Sequence, residues 1–251
     1  MNSGPKQFAL FPNCIHQRFT KTMTSPRIAL IHATPLAVTP INDAFKRLWP
    51  KAQCHNLLDD TLSQDLAKEG HLSSAMIQRF IDLSEYGLRA GCEAILFTCS
   101  AFGTAIEAVA QKSGVPTLKP NEAMFEQTLK LATKGTPLKV GLIATFNPSI
   151  DSMSAELRQM ATAKGVDLKL FTRFVPNAMQ SLADGHTQLH HDLIAQGAMH
   201  LSNCDVILLA QFSMAAAQPT VSTKLLPLTT PVLSSPDCAV AALSMVFQKS
   251  S

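Results

Sequence analysis

Ala94-Ile95-Leu96-Phe97-Thr98-Cys99-Ser100-Ala101-Phe102-Gly103 is an apolar run that breaks into a small, hydroxyl-rich turn carrying one thiol. The run predicts a buried strand, and Ala101 to Gln111 a helix. Cys99 then falls at the carboxyl end of the strand, where open α/β sheets place their ligands. A helix amino-terminus adds unpaired N–H groups and a partial positive charge, which favour thiolate over thiol and hold carboxylates.

Upstream of this stretch, Ile28 to Ile31 predicts a strand, Asn42 to Leu48 a helix, Ala52 to Leu58 a weaker strand and Ser73 to Arg89 an amphipathic helix. In that helix Ile77, Phe80, Ile81, Ser84 and Leu88 share one face at helical spacing. Downstream come a strand at Val115 to Leu118 and a helix from Asn121 to Thr133. The plan then repeats: strand Lys139 to Ala144, helix Ser149 to Ala163, strand Leu168 to Phe174, helix Gln188 to Leu201 and strand Asp205 to Leu209. A strand at Pro231 to Leu233 and a helix from Pro236, capped by Ser235, close the chain. Such alternation predicts an α/β protein with parallel sheets between helices.

The repetition extends to side chains. Arg27-Ile-Ala-Leu-Ile matches Lys139-Val-Gly-Leu-Ile, and Cys92-Glu-Ala-Ile-Leu-Phe-Thr-Cys99 matches Cys204-Asp-Val-Ile-Leu-Leu-Ala-Gln211. One offset of 112 residues relates Arg27 to Lys139, Cys92 to Cys204 and Cys99 to Gln211. The expected fold is therefore two pseudo-symmetric lobes, each a mainly parallel sheet flanked by helices, with a site in the cleft between them. Residues 27–119 with 229–251 are expected to form the first lobe and residues 120–228 the second, behind a flexible extension over 1–26. That extension has basic residues, no acid and no strand or helix period, and Met23 is an alternative start.

Composition excludes several classes of function. Of the 251 residues 46% are hydrophobic and 16% charged, which describes a packed globular chain; a net charge of +3 argues for neither nucleic acid nor a membrane surface. No apolar segment approaches the roughly 20 residues that span a bilayer. The six cysteines are scattered without a CxxC pair, as in a reduced, cytoplasmic protein with no metal site of closely spaced thiols.

In its duplicated lobes, its Thr98-Cys99-Ser100 turn, its Gly141-Leu-Ile-Ala-Thr145 strand end and its Asp205-Val-Ile-Leu-Leu strand, the chain resembles the aspartate/glutamate racemase superfamily, which includes hydantoin racemases, maleate isomerases and arylmalonate decarboxylases. The resemblance covers residues 27 to about 247. It implies a cofactor-independent enzyme, commonly a dimer, whose two equivalent strand ends each carry a cysteine that works on one face of a small carboxylate. Here Cys99 fills the first position and Gln211 the second. An amide neither gains nor loses a proton near neutral pH, so two-thiol racemisation is not expected, while one-thiol chemistry survives.

Around Cys99 as the catalytic group, Thr34, Thr98, Ser100, Thr145, Gln211 and Ser213 are expected at the strand ends as substrate-binding residues. Ordinary turn and cap chemistry also explains such hydroxyls. Asp59 and Asp60 end the second strand, as an alternative base or as a helix cap. His32 reads as a buried, hydrogen-bonded histidine or a second catalytic group. His186, His190 and His191 have a partial metal spacing without a third ligand, so no metal is expected. The resemblance thus implies an isomerase or racemase-type enzyme acting beside a carboxylate or carbonyl through Cys99. The alternatives are a one-thiol decarboxylase and a non-catalytic carboxylate-binding protein of the same fold.

Overall fold

The computed structural model describes residues 25–249. The expected extension over 1–26 therefore lies almost wholly outside the described residues, as do Cys14 and Met23. β1 (Arg27–His32) is buried along nearly its whole length, as the central strand of a parallel sheet must be when helices cover both faces. α1 (Val38–Leu48) leads to β2 (Gln53–Leu58), an edge strand, and then to α2 (Thr61–Glu69), which stops at Gly70 in the left-handed region. α3 (Ser74–Arg89), β3 (Ala94–Phe97), α4 (Gly103–Lys112) and β4 (Thr117–Leu118) complete the first sheet, ordered β2-β1-β3-β4 and parallel throughout.

After α5 (Glu122–Leu129) the second half repeats the topology. It runs β5 (Leu138–Ala144), α6 (Pro148–Ala163), β6 (Leu168–Phe174), α7 (Ala178–Ala183), α8 (Thr187–Met199), β7 (Val206–Leu209), α9 (Gln218–Lys224), β8 (Val232–Ser234) and α10 (Ser235–Lys249). The sheet order is β6-β5-β7-β8, again parallel. Register carries the duplication: Ile28 pairs with Ala94 and Ile31 with Phe97, while Val140 pairs with Val206 and Ile143 with Leu209. Those partners are related by the same offset of 112. None of the helices among the described residues is long and apolar enough to cross a membrane.

The lobes exchange their last helices. Met124, Phe125 and Leu129 of α5 pack into the second-lobe core with Val140 and Leu142, whereas Ala239, Val240 and Leu243 of α10 pack into the first-lobe core with Ile41 and Phe45. Arg47 on α1 holds Asp237 of α10 at 2.7 Å. This corrects the expected boundary at 229, because β8 pairs with β7 and only α10 returns to the first lobe. Three short helices escaped the pattern reading: α2, α7 and α9 have six to nine residues each, too few turns to show a period. The expected helix over 101–111 begins as a 3₁₀ turn at Ser100–Phe102, and the one over 121–133 ends at Leu129.

Close packing of α3 on β1 depends on Gly87, where an added Cβ would lie 2.8 Å from the Ala29 Cβ. Gly87→Ala is expected to cost about 1–3 kcal/mol in urea unfolding, since neither backbone can yield without shifting a helix or a central strand. Gly103→Ala, with nothing within 4 Å of the new methyl, should be neutral or stabilising by about 0.5–1 kcal/mol.

Candidate active site

Cys99 and Gln211 end β3 and β7 as extended residues preceding 3₁₀ turns, with φ/ψ of −130°/119° and −113°/149°. They occupy equivalent places in the two lobes. Both line one cavity of about 540 Å³ between the lobes, together with Thr34, Thr98, Ser100 and Ser213. Cys99 is half-buried and outside any disulfide. It precedes the helical run 100–112, whose first N–H groups lack intrahelical acceptors.

Thr145, expected as a ligand contact, does not line the cavity. It is 5% exposed and stands behind Gln211, donating to Oε1 from its N–H at 2.9 Å and from its hydroxyl at 3.3 Å. Because a backbone N–H only donates, this pair settles the amide's orientation. Nε2 therefore points to Ser149 Oγ at 2.5 Å, and the Ser149 hydroxyl donates to the Phe146 carbonyl at 2.7 Å. Gln211 is pinned by three hydrogen bonds, two from Thr145 and one to Ser149, and keeps one further N–H, a donor with no capacity to take a proton.

Thr98 is held in a comparable way from the first lobe. The Val38 carbonyl accepts from Asn42 Nδ2 at 2.8 Å, which orients that amide, and Asn42 Oδ1 accepts from Asn56 Nδ2 at 3.3 Å. Asn56 Oδ1 then faces His32 Nε2 at 2.9 Å, so the imidazole proton sits on Nε2 and Nδ1 accepts from the Thr98 hydroxyl at 2.8 Å. His32 is fully buried and positions Thr98 beside Cys99; it does not reach the cavity. Burial pushes its pKa below the usual value near 6.5, against an opposing contribution from Asn56. The sign follows directly: the unfolded chain takes up this proton first as pH falls, so stability present above about pH 6.5 is lost below it. His191 shifts the same way, through burial first and the neighbouring His190 second. Acid titration of unfolding from pH 7.5 to 5 should therefore show a loss of up to about 1.4 kcal/mol per pH unit per group, reduced but not abolished in His32→Asn.

Neither Asp59 nor Asp60 lines the cavity. Asp59 receives the Arg79 guanidinium at 2.8 and 2.7 Å and the Thr61 hydroxyl at 2.8 Å. Burial alone would raise its pKa, but the hydrogen bonds and charge of Arg79, with those of Thr61, outweigh it and hold the carboxyl below its ordinary value. It is a structural carboxylate at the start of α2. His190 is buried and spends Nδ1 on the Ala178 carbonyl at 2.8 Å, while His186 is exposed at the start of α8. Among the described residues, no three His, Cys, Asp or Glu side chains gather in a way that would hold a metal ion.

Pattern reading missed much of the wall. Ser63, Leu66 and Ala67 come from α2, Ser149, Ser152 and Met153 from α6, and Met179 from α7. The spacing of Leu62 and Leu66, and of Ser149 and Ser152, was the available signal. Asn121 lines the base, where its Oδ1 accepts from Ser235 at 2.8 Å and joins the two crossover segments. Glu156 hydrogen-bonds to Asn121 from outside the cavity; burial raises its pKa most, against Lys119 and with Glu122. The other described thiols are suppressed by burial, which pushes Cys54 and Cys238 up to about 12 and raises Cys92 and Cys204.

The profile of the Asp/Glu/hydantoin racemase family matches residues 53–243. No curated protein sequence matches the chain. Among solved structures, an allantoin racemase from Klebsiella pneumoniae superimposes with a TM-score of 0.67 at 14% identity, covering 90% of this chain and 89% of that one. A glutamate racemase isoform from Bacillus anthracis gives 0.62 at 17% identity, with 90% and 83% covered. An aspartate racemase from Picrophilus torridus gives 0.61 at 15%, with 88% and 94% covered. At these identities the superpositions speak for the fold.

Proposed function

The chain belongs to the Asp/Glu/hydantoin racemase family, and we propose that it is a cofactor-independent, racemase-type isomerase in which Cys99 alone moves the proton. One observation carries this reading: among the described residues that line the cavity, Cys99 alone has a titratable side chain. The substrate is a small acid with a C–H bond beside its carboxylate or carbonyl. Cys99 thiolate takes that proton onto Sγ, and the C–H electron pair moves into an enolate. The N–H groups at the start of 100–112, the Ser100 and Ser213 hydroxyls and the free N–H of Gln211 supply donors for the developing oxyanion, the electrostatic contribution that dominates such reactions. The thiol then returns its proton to the planar carbon. Configuration changes only when the planar enolate turns its other face to Cys99 before the proton returns, because Gln211 supplies no proton from the opposite side. The thiolate also suits addition to an unsaturated acid, rotation about the resulting single bond, and expulsion.

A second reading rests on the apolar walls. Leu36, Leu66, Phe146 and Met153 offer a carboxylate no counter-charge, which favours its departure as CO₂; the electron pair stays on carbon and the Cys99 thiol protonates it. Incubation with candidate acids in D₂O separates the cases. Cys99-dependent deuterium in recovered or isomerised acid supports the first reading, and CO₂ release the second. If acids bind but neither label nor CO₂ appears, the cleft belongs to a binding protein.

A further inference from the structure

We infer that the substrate of this cleft carries no ammonium group and at most one carboxylate, and bears an apolar arm. The inference rests on the proton-transfer reading for the role of Cys99 and on separate observations for the class of molecule.

The first observation is charge. Among the described residues that line the cavity there is no Asp, Glu, Lys, Arg or His. The charged groups nearby are already engaged outside it: Asp59 with Arg79, Lys119 with Glu107 at 2.8 Å, and Glu156 against Asn121. An ammonium buried here would find no carboxylate among the described lining residues and would lie near the positive end of the helical run 100–112. A second carboxylate would find no guanidinium or ammonium. Buried charge without a counter-charge is strongly disfavoured, whereas one carboxylate or carbonyl is served by the N–H and hydroxyl donors of Ser100, Gln211 and Ser213.

The second observation is the mouth of the cavity. Leu36 from the first lobe and Phe146 from the second both line it, yet they are 52% and 49% exposed. Behind them Leu66, Met153, Met179 and Phe212 continue an apolar wall. Two large apolar side chains left half in water at the rim of a cavity gain by covering a ligand's hydrocarbon arm. An α-amino dicarboxylic acid would leave them uncovered.

The test uses four probes that differ by one group each. 3-Phenylpropanoate has one carboxylate and a phenyl-bearing arm; phenylalanine adds an ammonium, benzylmalonate adds a second carboxylate, and propanoate lacks the phenyl ring. Binding is read as protection of Cys99 from iodoacetamide by peptide mapping at pH 8, where the suppressed thiolates of Cys54 and Cys238 react slowly. 3-Phenylpropanoate should protect at concentrations at least about tenfold lower than each of the other three, a difference of about 1.4 kcal/mol per comparison. Phe146→Ser should weaken protection by 3-phenylpropanoate at least about fivefold more than protection by propanoate. Equal or better protection by phenylalanine or benzylmalonate overturns the inference, and so does failure of all four to protect. Deuterium exchange into the tightest-binding acid is a separate readout: its absence would defeat the proton-transfer reading and leave the substrate class standing. Cys99-dependent exchange into glutamate would do the reverse.

Discussion

Cys99→Ser is expected to slow deuterium exchange into the bound acid by about a thousandfold or more while leaving the acid's affinity within about threefold. The two numbers come from different places. A serine hydroxyl holds its proton throughout the accessible pH range, whereas a thiol ionises near 8.5 before its surroundings act on it, so the substitution removes the base and keeps its volume. A thousandfold corresponds to about 4 kcal/mol of transition-state stabilisation, within the range assigned to one well-placed acid–base group. Affinity is supplied by other parts of the cleft: the N–H groups after residue 99, the hydroxyls, and the apolar walls. Thermal stability should change little, because Cys99 is half-buried and serine is nearly isosteric. Unchanged exchange in the variant would exclude the thiol as the base, whatever the affinity does.

Residues 94–103 and their counterpart at 206–215 announce their strand ends through short apolar runs that stop at polar turns, and the shared offset announces two lobes. Six of the seven expected site residues line a single cavity for that reason, since strand ends of parallel sheets converge. Contacts made at a distance were not legible. The Thr145 amide meets Gln211 only because β5 and β7 are neighbours, and the spine from Val38 through Asn42 and Asn56 to His32 requires β1 and β2 in register. The placement of β8 beside β7 and of α10 on the opposite lobe is likewise a matter of tertiary packing, which a run of three strand residues cannot specify. The helices that wall the cavity, α2 and α7, are held by a handful of buried side chains each, such as Leu62 and Ala178. Too few turns remain for a hydrophobic period to stand out.

Gln211→Cys should have the second large effect, and in the opposite sense: it should create inversion. In the parent protein a proton removed by Cys99 has only Cys99 to return from, so label should enter the acid with retention of configuration, and inversion should lag exchange by about a hundredfold, the usual contribution of a missing acid–base group. A thiol at residue 211 supplies that group on the equivalent strand end of the other lobe, and inversion should approach the rate of exchange. The substitution has a structural cost, because the Thr145 N–H and hydroxyl lose the Oε1 acceptor; a buried donor left without a partner costs about 1–3 kcal/mol, so the melting temperature should fall. Gln211→Glu separates the two consequences. A carboxylate keeps an oxygen for Thr145 and adds a titratable group, so it should retain stability better and still raise the ratio of inversion to exchange. If the parent already inverts as fast as it exchanges, a proton donor other than Cys99 serves the second face, and the asymmetry between Cys99 and Gln211 does not set the chemistry of the cleft. If only the variants invert, a single side chain decides whether this duplicated fold works on one face of its substrate or on two.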